Sequence, residues 1–93
     1  MVIRIAELDE APAFHSDPET LAAFRAWIAS QPGFRQGFHA TDSATGKVVA
    51  ISMWDDLASV LALKQRAFPG GSLGAKPVRV TIYDGVEAFA EEG

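Results

Sequence analysis

The stretch FRQGFHATDSATGKVVAISMW, residues 34–54, decides the fold of this chain. Two runs rich in β-branched and aromatic residues, Phe34–Thr41 and 47–54, are each long enough to form a strand. Between them lies DSATG, a short polar segment whose Gly46 can adopt the positive φ that a tight hairpin turn needs. The stretch therefore predicts an antiparallel β-hairpin in the middle of the chain.

A strand and a helix are predicted on each side of this hairpin. Val2–Leu8 (VIRIAEL) alternates like a strand, and residues 17–31 carry an Asp-Pro helix start and are followed by a Pro-Gly stop. Residues 55–68 predict a second helix and residues 78–84 (VRVTIYD) a last strand. The order β-α-β-β-α-β predicts a ferredoxin-like α+β fold, with two helices on one face of a four-stranded antiparallel sheet, in a single domain over residues 1–93.

Composition limits the classes of function. The chain has 93 residues, of which 48% are hydrophobic, a net charge of −4, eight Lys plus Arg and no cysteine. Apolar surface in excess of what so small a domain can bury predicts a homodimer, formed through the face of the sheet that the helices leave uncovered. So few cations argue against a nucleic-acid partner, and no segment is apolar enough for a membrane. A cysteine-free chain fits the reducing cytoplasm.

The side chains on the uncovered face are the candidate functional residues. Alternation assigns the apolar Val49, Ile51 and Met53 to the helix-covered core, and Trp54 therefore to the uncovered face. The same alternation, applied to every strand, predicts one group of polar and aromatic side chains on that face: Arg4, His39, Ser52, Trp54, Arg79, Thr81 and Tyr83.

Each of these residues has two open interpretations. Trp54 either seals the dimer interface or stacks on an aromatic ligand. His39, whose imidazole titrates near neutrality, is either a general base or a hydrogen-bonded strand residue. Arg4 and Arg79 either clamp an anion or pair with a carboxylate such as Glu7 at the sheet edge. The two histidines lie in separate segments, so no metal site is expected.

The glycine-rich segment FPGGSLGAKP, residues 68–77, superficially suggests a phosphate-binding loop. It lacks the required spacing and follows a helix instead of opening one. We expect a rim or lid over a cavity.

Two motifs resemble the antibiotic-biosynthesis-monooxygenase-like (ABM-like) domains of the dimeric α/β-barrel superfamily. They are QPGFRQGFHATD, residues 31–42, and KVVAISMWDDLASVLAL, residues 47–63. A Pro-Gly-Phe after the first helix, and a strand that ends in Trp before an acidic helix start, carry the resemblance, which extends from Val2 to Tyr83. It implies that two subunits pack their open sheet faces into a barrel and bind a small organic molecule.

The resemblance also implies a chemistry, namely cofactor-independent oxygenation of a small aromatic or enolic molecule. His39 would ionise the substrate, and Arg79 and Tyr83 would stabilise the resulting oxyanion. The substrate ring would be bound by Trp54, Ser52 and Arg4. The alternative is a non-catalytic ligand-binding or stress-related dimer in which the same residues only fill the barrel.

Haem-degrading members of the family resemble this chain at Trp54. They also use an Asn on the first strand and a His on the second helix. This chain has no Asn and no His after His39, so neither a haem cofactor nor any other cofactor is expected.

Overall fold

The computed structural model of the chain describes residues 1–63, 66 and 77–90. Its elements are β1 (Val2–Leu8), α1 (Pro18–Ala29), β2 (Phe34–Thr41), β3 (Val48–Trp54), α2 (Leu57–Leu63) and β4 (Arg79–Tyr83). The predicted order β-α-β-β-α-β is confirmed, with a short 3₁₀ turn, Ala13–Ser16, where a plain loop was expected. The predicted end of the second helix at residue 68 and most of the glycine-rich loop lie outside the described residues.

The four strands form one antiparallel sheet in the order β2-β3-β1-β4. In the central pair Val2 lies opposite Trp54 and Leu8 opposite Val48. Because directly opposed residues share a face of the sheet, this register assigns every strand residue to one side or the other.

Local signals that were read from the sequence form the helix start and the hairpin turn. The Asp17 carboxylate accepts a hydrogen bond from the Glu19 amide (3.2 Å), and Pro18 occupies the first helical turn. In the hairpin, Gly46 has φ +77° and its amide donates to the Asp42 carbonyl at 2.8 Å. Both predictions are confirmed.

The core lies between the helices and one face of the sheet. Val2, Trp54 and the α2 residue Val60 are buried at its centre. Four partly buried side chains pack against them, one from α1, one from α2 and two from strands: Ile28, Leu63, Phe34 and Ile82.

The predicted direction of Trp54 was wrong, because its side chain faces the helices and is 0% exposed. On β3 and β1 the small residues Ser52, Ala50 and Ala6 share the helix-covered face with Trp54, whereas Ile51, Met53 and Ile5 point away. The alternation was read correctly, but both faces of these strands are apolar. Assigning the larger residues to the core therefore selected the wrong side.

The side chains of β4 and β2 divide differently. Ile82 lies opposite Arg4 and packs against the core, whereas Arg79 and Tyr83 point away, as predicted. In β2 the register shifts between Phe34 and Gln36, which is a β-bulge. Phe34 faces the helices as predicted. Beyond the bulge the alternation is reversed.

As a result of the bulge His39, opposite Ala50, faces the helices, and Phe38, opposite Ile51, lies on the uncovered face with 47% exposure. The prediction for both residues was wrong. The uncovered face is apolar, and its central residues are Ile3, Ile5, Phe38, Val49, Ile51 and Met53.

In the part of the chain that the structure describes, no helix has both the length and the apolar character needed to span a membrane.

Candidate functional site

A cavity of about 530 Å³ lies between α1 and the helix-covered face of the sheet. It is lined by Arg4, Phe24, Arg25, Ile28, Phe34, Gly37, Phe38, His39, Ala50, Ile51 and Ser52. Gly37, Ala50 and Ser52 carry little or no side chain on this face, which leaves the space open. Phe38 and Ile51 belong to the opposite face, so they border the cavity with their main chain.

Arg4 supplies a positive charge in the sheet wall of this cavity. It lies in the middle of β1, opposite Ser52 on one side and Ile82 on the other. Burial lowers the pKa of its guanidinium, but an arginine in a protein stays protonated. Within residues 1–63, 66 and 77–90 no hydrogen bond or ion pair satisfies this cation.

A second cation, Arg25 of α1, holds His39 of β2. Its guanidinium nitrogen lies 3.1 Å from His39 Nδ1. Because a guanidinium can only donate hydrogen bonds, Nδ1 is the acceptor and the proton of the neutral ring is on Nε2. In this arrangement His39 is a hydrogen-bond donor at Nε2.

His15, in the turn before α1, joins this pair. Its ring centroid is 4.9 Å from that of His39, and Phe14 packs edge-on against it at 4.6 Å. Burial, followed by the positive charge of Arg25, lowers the pKa of His15. Burial, followed by the charges of His15 and Arg25, lowers the pKa of His39. We call His15, Arg25 and His39 the basic cluster.

Sequence reasoning missed two members of the basic cluster, His15 and Arg25. The position of His15 in a connecting loop favours a solvated side chain, but the structure half-buries it. Nothing in the sequence sets Arg25 apart from any other charged helix residue. Both reach His39 only because the turn and α1 pack together over β2, and no local pattern encodes that contact.

Trp54 lies behind the cavity wall and is not part of its lining. Its Nε1 donates a hydrogen bond to Ser52 Oγ at 2.9 Å, and Phe34 packs edge-on against its ring at 5.4 Å. Ser52 and Phe34 line the cavity, so Trp54 supports both of them from the core. The indole neither seals the uncovered face nor reaches the cavity.

The structure divides the six predicted site residues between the two faces of the sheet. Arg4, Ser52 and His39 line the same cavity. Arg79 and Tyr83 lie on the other side, where Arg79 pairs with Glu7 at 3.7 Å and Tyr83 is 55% exposed. The predicted constellation of His39 with Arg79 and Tyr83 therefore does not exist within one chain.

The structure offers no grouping of metal-ligand side chains in the residues it describes. No three or more His, Cys, Asp or Glu side chains there converge closely enough to hold an ion.

By sequence alone, no protein-family model and no curated protein matches this chain. By structure it is similar to several solved proteins. A heme-degrading protein of Mycobacterium tuberculosis superposes with a TM-score of 0.63 at 16% identity, over 97% of this chain and 96% of that one. A candidate antibiotic biosynthesis monooxygenase of Deinococcus radiodurans superposes with a TM-score of 0.60 at 19% identity, over 100% of both chains. This chain has the ABM-like fold.

A third protein with the ABM-like fold is a monooxygenase of Streptomyces coelicolor, solved in complex with nanaomycin D. It superposes with a TM-score of 0.60 at 18% identity, over 98% of this chain and 92% of that one. Identities in this range establish the fold alone. One of these proteins is a heme-degrading protein, and the other two are described as monooxygenases. The fold alone therefore does not determine the function, which must be inferred from the cavity itself.

Proposed function

We propose that this ABM-like protein binds a small aromatic molecule with an acidic hydroxyl group, a phenol or an enol, in the cavity beneath α1. The observation that carries the proposal is Arg4, a half-buried guanidinium without a partner among the described residues, in a wall shared with Phe34 and Ser52. A partly desolvated cation is costly unless an anion accompanies it. A phenolate or enolate oxygen would supply that anion, and Phe24, Ile28 and Phe34 would contact its ring.

Ionisation of the ligand would also prepare it for reaction with O₂. A phenolate or enolate is electron-rich enough to reduce O₂ directly, so that a phenol and O₂ give a quinone and water without a cofactor. We assign oxyanion stabilisation to Arg4, because Arg79 and Tyr83 lie on the other face. His39 remains the proposed general base, and Arg25 must first release its Nδ1.

The experiment is a titration of the protein with a naphthol and with the methyl ether of that naphthol, followed by tryptophan fluorescence. We expect the naphthol to bind at least tenfold more tightly than the ether, since a hydrogen-bonded ion contributes about 1.5–3 kcal/mol. Arg4→Met should abolish the difference. The matched control is Arg35→Met, which removes a cation that pairs with Asp55 outside the cavity. Equal affinity for naphthol and ether would contradict the proposal.

A second candidate function is binding without chemistry. The observation that favours it is the hydrogen bond from Arg25 to His39 Nδ1, which occupies the one lone pair with which the neutral imidazole could take a proton. Oxygen consumption with a dihydroxynaphthalene separates the two candidates. If oxygen uptake falls roughly a hundredfold in His39→Ala, which is the usual scale for loss of a general base, the monooxygenase is supported. Tight binding with no uptake above the uncatalysed rate supports the binding protein.

The same proposal includes a homodimer that covers the apolar sheet face. Ile3, Ile5 and Met53 form a continuous stripe on β1 and β3, and no described helix covers it. Contiguous apolar patches of this kind are typical of protein–protein interfaces. Light scattering during gel filtration at micromolar concentration should give twice the chain mass of 9.9 kDa.

One structural neighbour is a heme-degrading protein, which raises the question of whether this chain binds haem. The residues present do not fit that cofactor. The described part of α2, Leu57–Leu63, consists of apolar side chains and Ser59, and no histidine follows His39 in the sequence. An axial imidazole from the second helix is therefore unavailable. Titration with haemin should give no ligated Soret band and no reductant-dependent loss of haem.

A further inference from the structure

We propose that the basic cluster is a subsite for a carboxylate carried by the same aromatic ligand. The ligand class is then a hydroxyaryl carboxylic acid. The inference rests on the proposed function of the cavity and adds a second point of recognition to Arg4.

Three elements that are separate in the sequence bring the basic cluster together. His15 comes from the turn before α1, Arg25 from the helix and His39 from β2. The guanidinium lies 3.1 Å from the His39 ring, and the two imidazole centroids are 4.9 Å apart. Arg25 and His39 line the cavity, and the His15 ring packs at a tilt against His39.

No acidic group of the described residues balances this cluster. The ion pairs there join Arg35 to Asp55 and Arg79 to Glu7, and neither pair includes Arg25. The charge that acts on His15 is that of Arg25, and the charges that act on His39 are those of His15 and Arg25, so all of them come from bases. The whole chain has more acids than bases, yet these three basic groups meet without one. A ligand carboxylate would supply the missing negative charge.

Arg4 and His39 line the same cavity from β1 and β2, and β3 lies between those strands. Arg4 lies opposite Ser52 and His39 opposite Ala50, so the two positions are also two residues apart along the strands. A hydroxynaphthoate, which carries a hydroxyl and a carboxylate on one rigid ring system, can test whether the cavity recognises both groups.

The test compares that hydroxynaphthoate with its neutral carboxamide, in which an amide replaces the carboxylate and the ring is unchanged. We expect the carboxylate to bind roughly tenfold more tightly, as for one charge-assisted bidentate contact. Arg25→Gln should remove this preference, and Arg35→Gln should leave it intact. Inorganic phosphate alone should compete weakly, because it lacks the ring.

The pH dependence gives a second readout. Both imidazoles have lowered pKa values, so they are neutral at pH 7, and a bound anion favours their protonated forms. The groups that face them are Arg25 from α1 and the two rings themselves from the turn and β2. The carboxylate preference should therefore increase as the pH falls from 7 towards 5, and His15→Gln should flatten this increase.

The outcomes separate this inference from the proposed function. If the carboxamide and the carboxylate bind equally well, the cavity binds aromatic ligands and the subsite is refuted. The subsite is also refuted if the preference survives Arg25→Gln, or if phosphate alone competes as well as the hydroxynaphthoate. If neither naphthalene binds, the proposed function and the subsite both fail.

Discussion

At the scale of single residues, the hydrogen bond between Trp54 and Ser52 connects the core to the cavity. Trp54 is fully buried, and its one polar atom finds its acceptor in a residue of the cavity wall. A buried indole N–H without an acceptor loses its hydration and gains nothing in return. Ser52 is therefore a structural residue as well as a cavity residue, and its two roles can be measured separately.

We expect Ser52→Ala to destabilise the protein by about 1–3 kcal/mol, because it leaves the Trp54 N–H unsatisfied. The measurement is the midpoint of denaturant unfolding, followed by Trp fluorescence. Ser43→Ala, a change of the same size in the exposed hairpin turn, is the control and should lie within about 0.5 kcal/mol of the parent. An unchanged midpoint in Ser52→Ala would show that the indole has another acceptor.

The histidine pair makes a second prediction at the residue scale. NMR titration of the imidazole Cε1 protons should give both histidines a pKa below the usual value of about 6.5. Arg25→Gln should raise both values, because it removes a neighbouring positive charge, but burial should keep them below 6.5. Arg35→Gln should change neither. If Arg25→Gln left the pKa values of both histidines unchanged, the charge of Arg25 would not act on them.

The same lowered pKa values predict how stability depends on pH. A group whose pKa is lower in the folded than in the unfolded state binds more protons on unfolding, so its contribution is present above the unfolded value and lost as the pH falls through the folded one. The free energy of unfolding should therefore decrease as the pH falls from 7 towards 5. In His39→Gln the free energy of unfolding should fall less over the same pH range. If the variant and the parent had the same pH profile, groups other than His39 would cause the fall.

At the scale of elements, two glycines with positive φ set the ends of β2 and β3. Gly33 (φ +84°) ends the turn after α1 and lies against Ser59 of α2, whereas Gly46 (φ +77°) closes the hairpin in open space. A Cβ on Gly33 would collide with the Ser59 side chain. The Gly33 carbonyl accepts a hydrogen bond from the Asp55 amide at 2.8 Å. Gly33 is therefore a packing glycine as well as a turn glycine.

Three alanine substitutions should separate these effects. Gly46→Ala should cost about 1–2 kcal/mol for the left-handed backbone alone. Gly33→Ala should cost more, because it adds the collision with Ser59. Gly85→Ala, where the new Cβ meets nothing and φ is not positive, should be close to neutral. The midpoints of denaturant unfolding rank the three variants by stability. Equal losses of stability in Gly33→Ala and Gly46→Ala would show that the collision with Ser59 makes no contribution.

The elements are also where sequence reasoning succeeded and where it stopped. Strand periods, the Asp17 cap and the Gly46 turn are local signals, so the order and most bounds of the elements could be predicted. The face of the sheet on which each side chain lies could not be predicted. The choice between the two sides of β3 depends on which side the helices cover, and the reversal in β2 depends on a bulge that leaves no mark in its composition.

At the scale of the whole molecule, the sheet separates two environments. One side carries the core and the cavity with Arg4 and His39, and the other carries an apolar surface that the described helices leave open. The excess of apolar residues that pointed to an assembly lies on this second surface. Ligand binding and association are thus expected to use opposite sides of the same strands.

We expect Ile5→Glu, at the centre of the uncovered face, to convert the proposed dimer into a species of 9.9 kDa. A charge buried in an apolar interface without a partner costs several kcal/mol, which is comparable to the stability of a small domain. Phe89→Glu introduces the same charge at a side chain that is 98% exposed, and it should leave the assembly unchanged. Light scattering gives both masses. A parent protein that is already monomeric would refute the assembly.

The bulge in β2 behaves like a shift of reading frame within a two-letter repeat. Phe34 is read in one frame and His39 in the other, and the extra residue between them sets the change. Loss of the single codon at position 35 would remove the extra residue, and His39 and Phe38 would keep the faces they have now. If every residue stayed and the bulge were instead flattened into regular alternation, the imidazole of His39 would move to the opposite compartment and Phe38 would turn inward, with no change in composition. The bulge, and not the composition of β2, therefore decides which compartment holds His39.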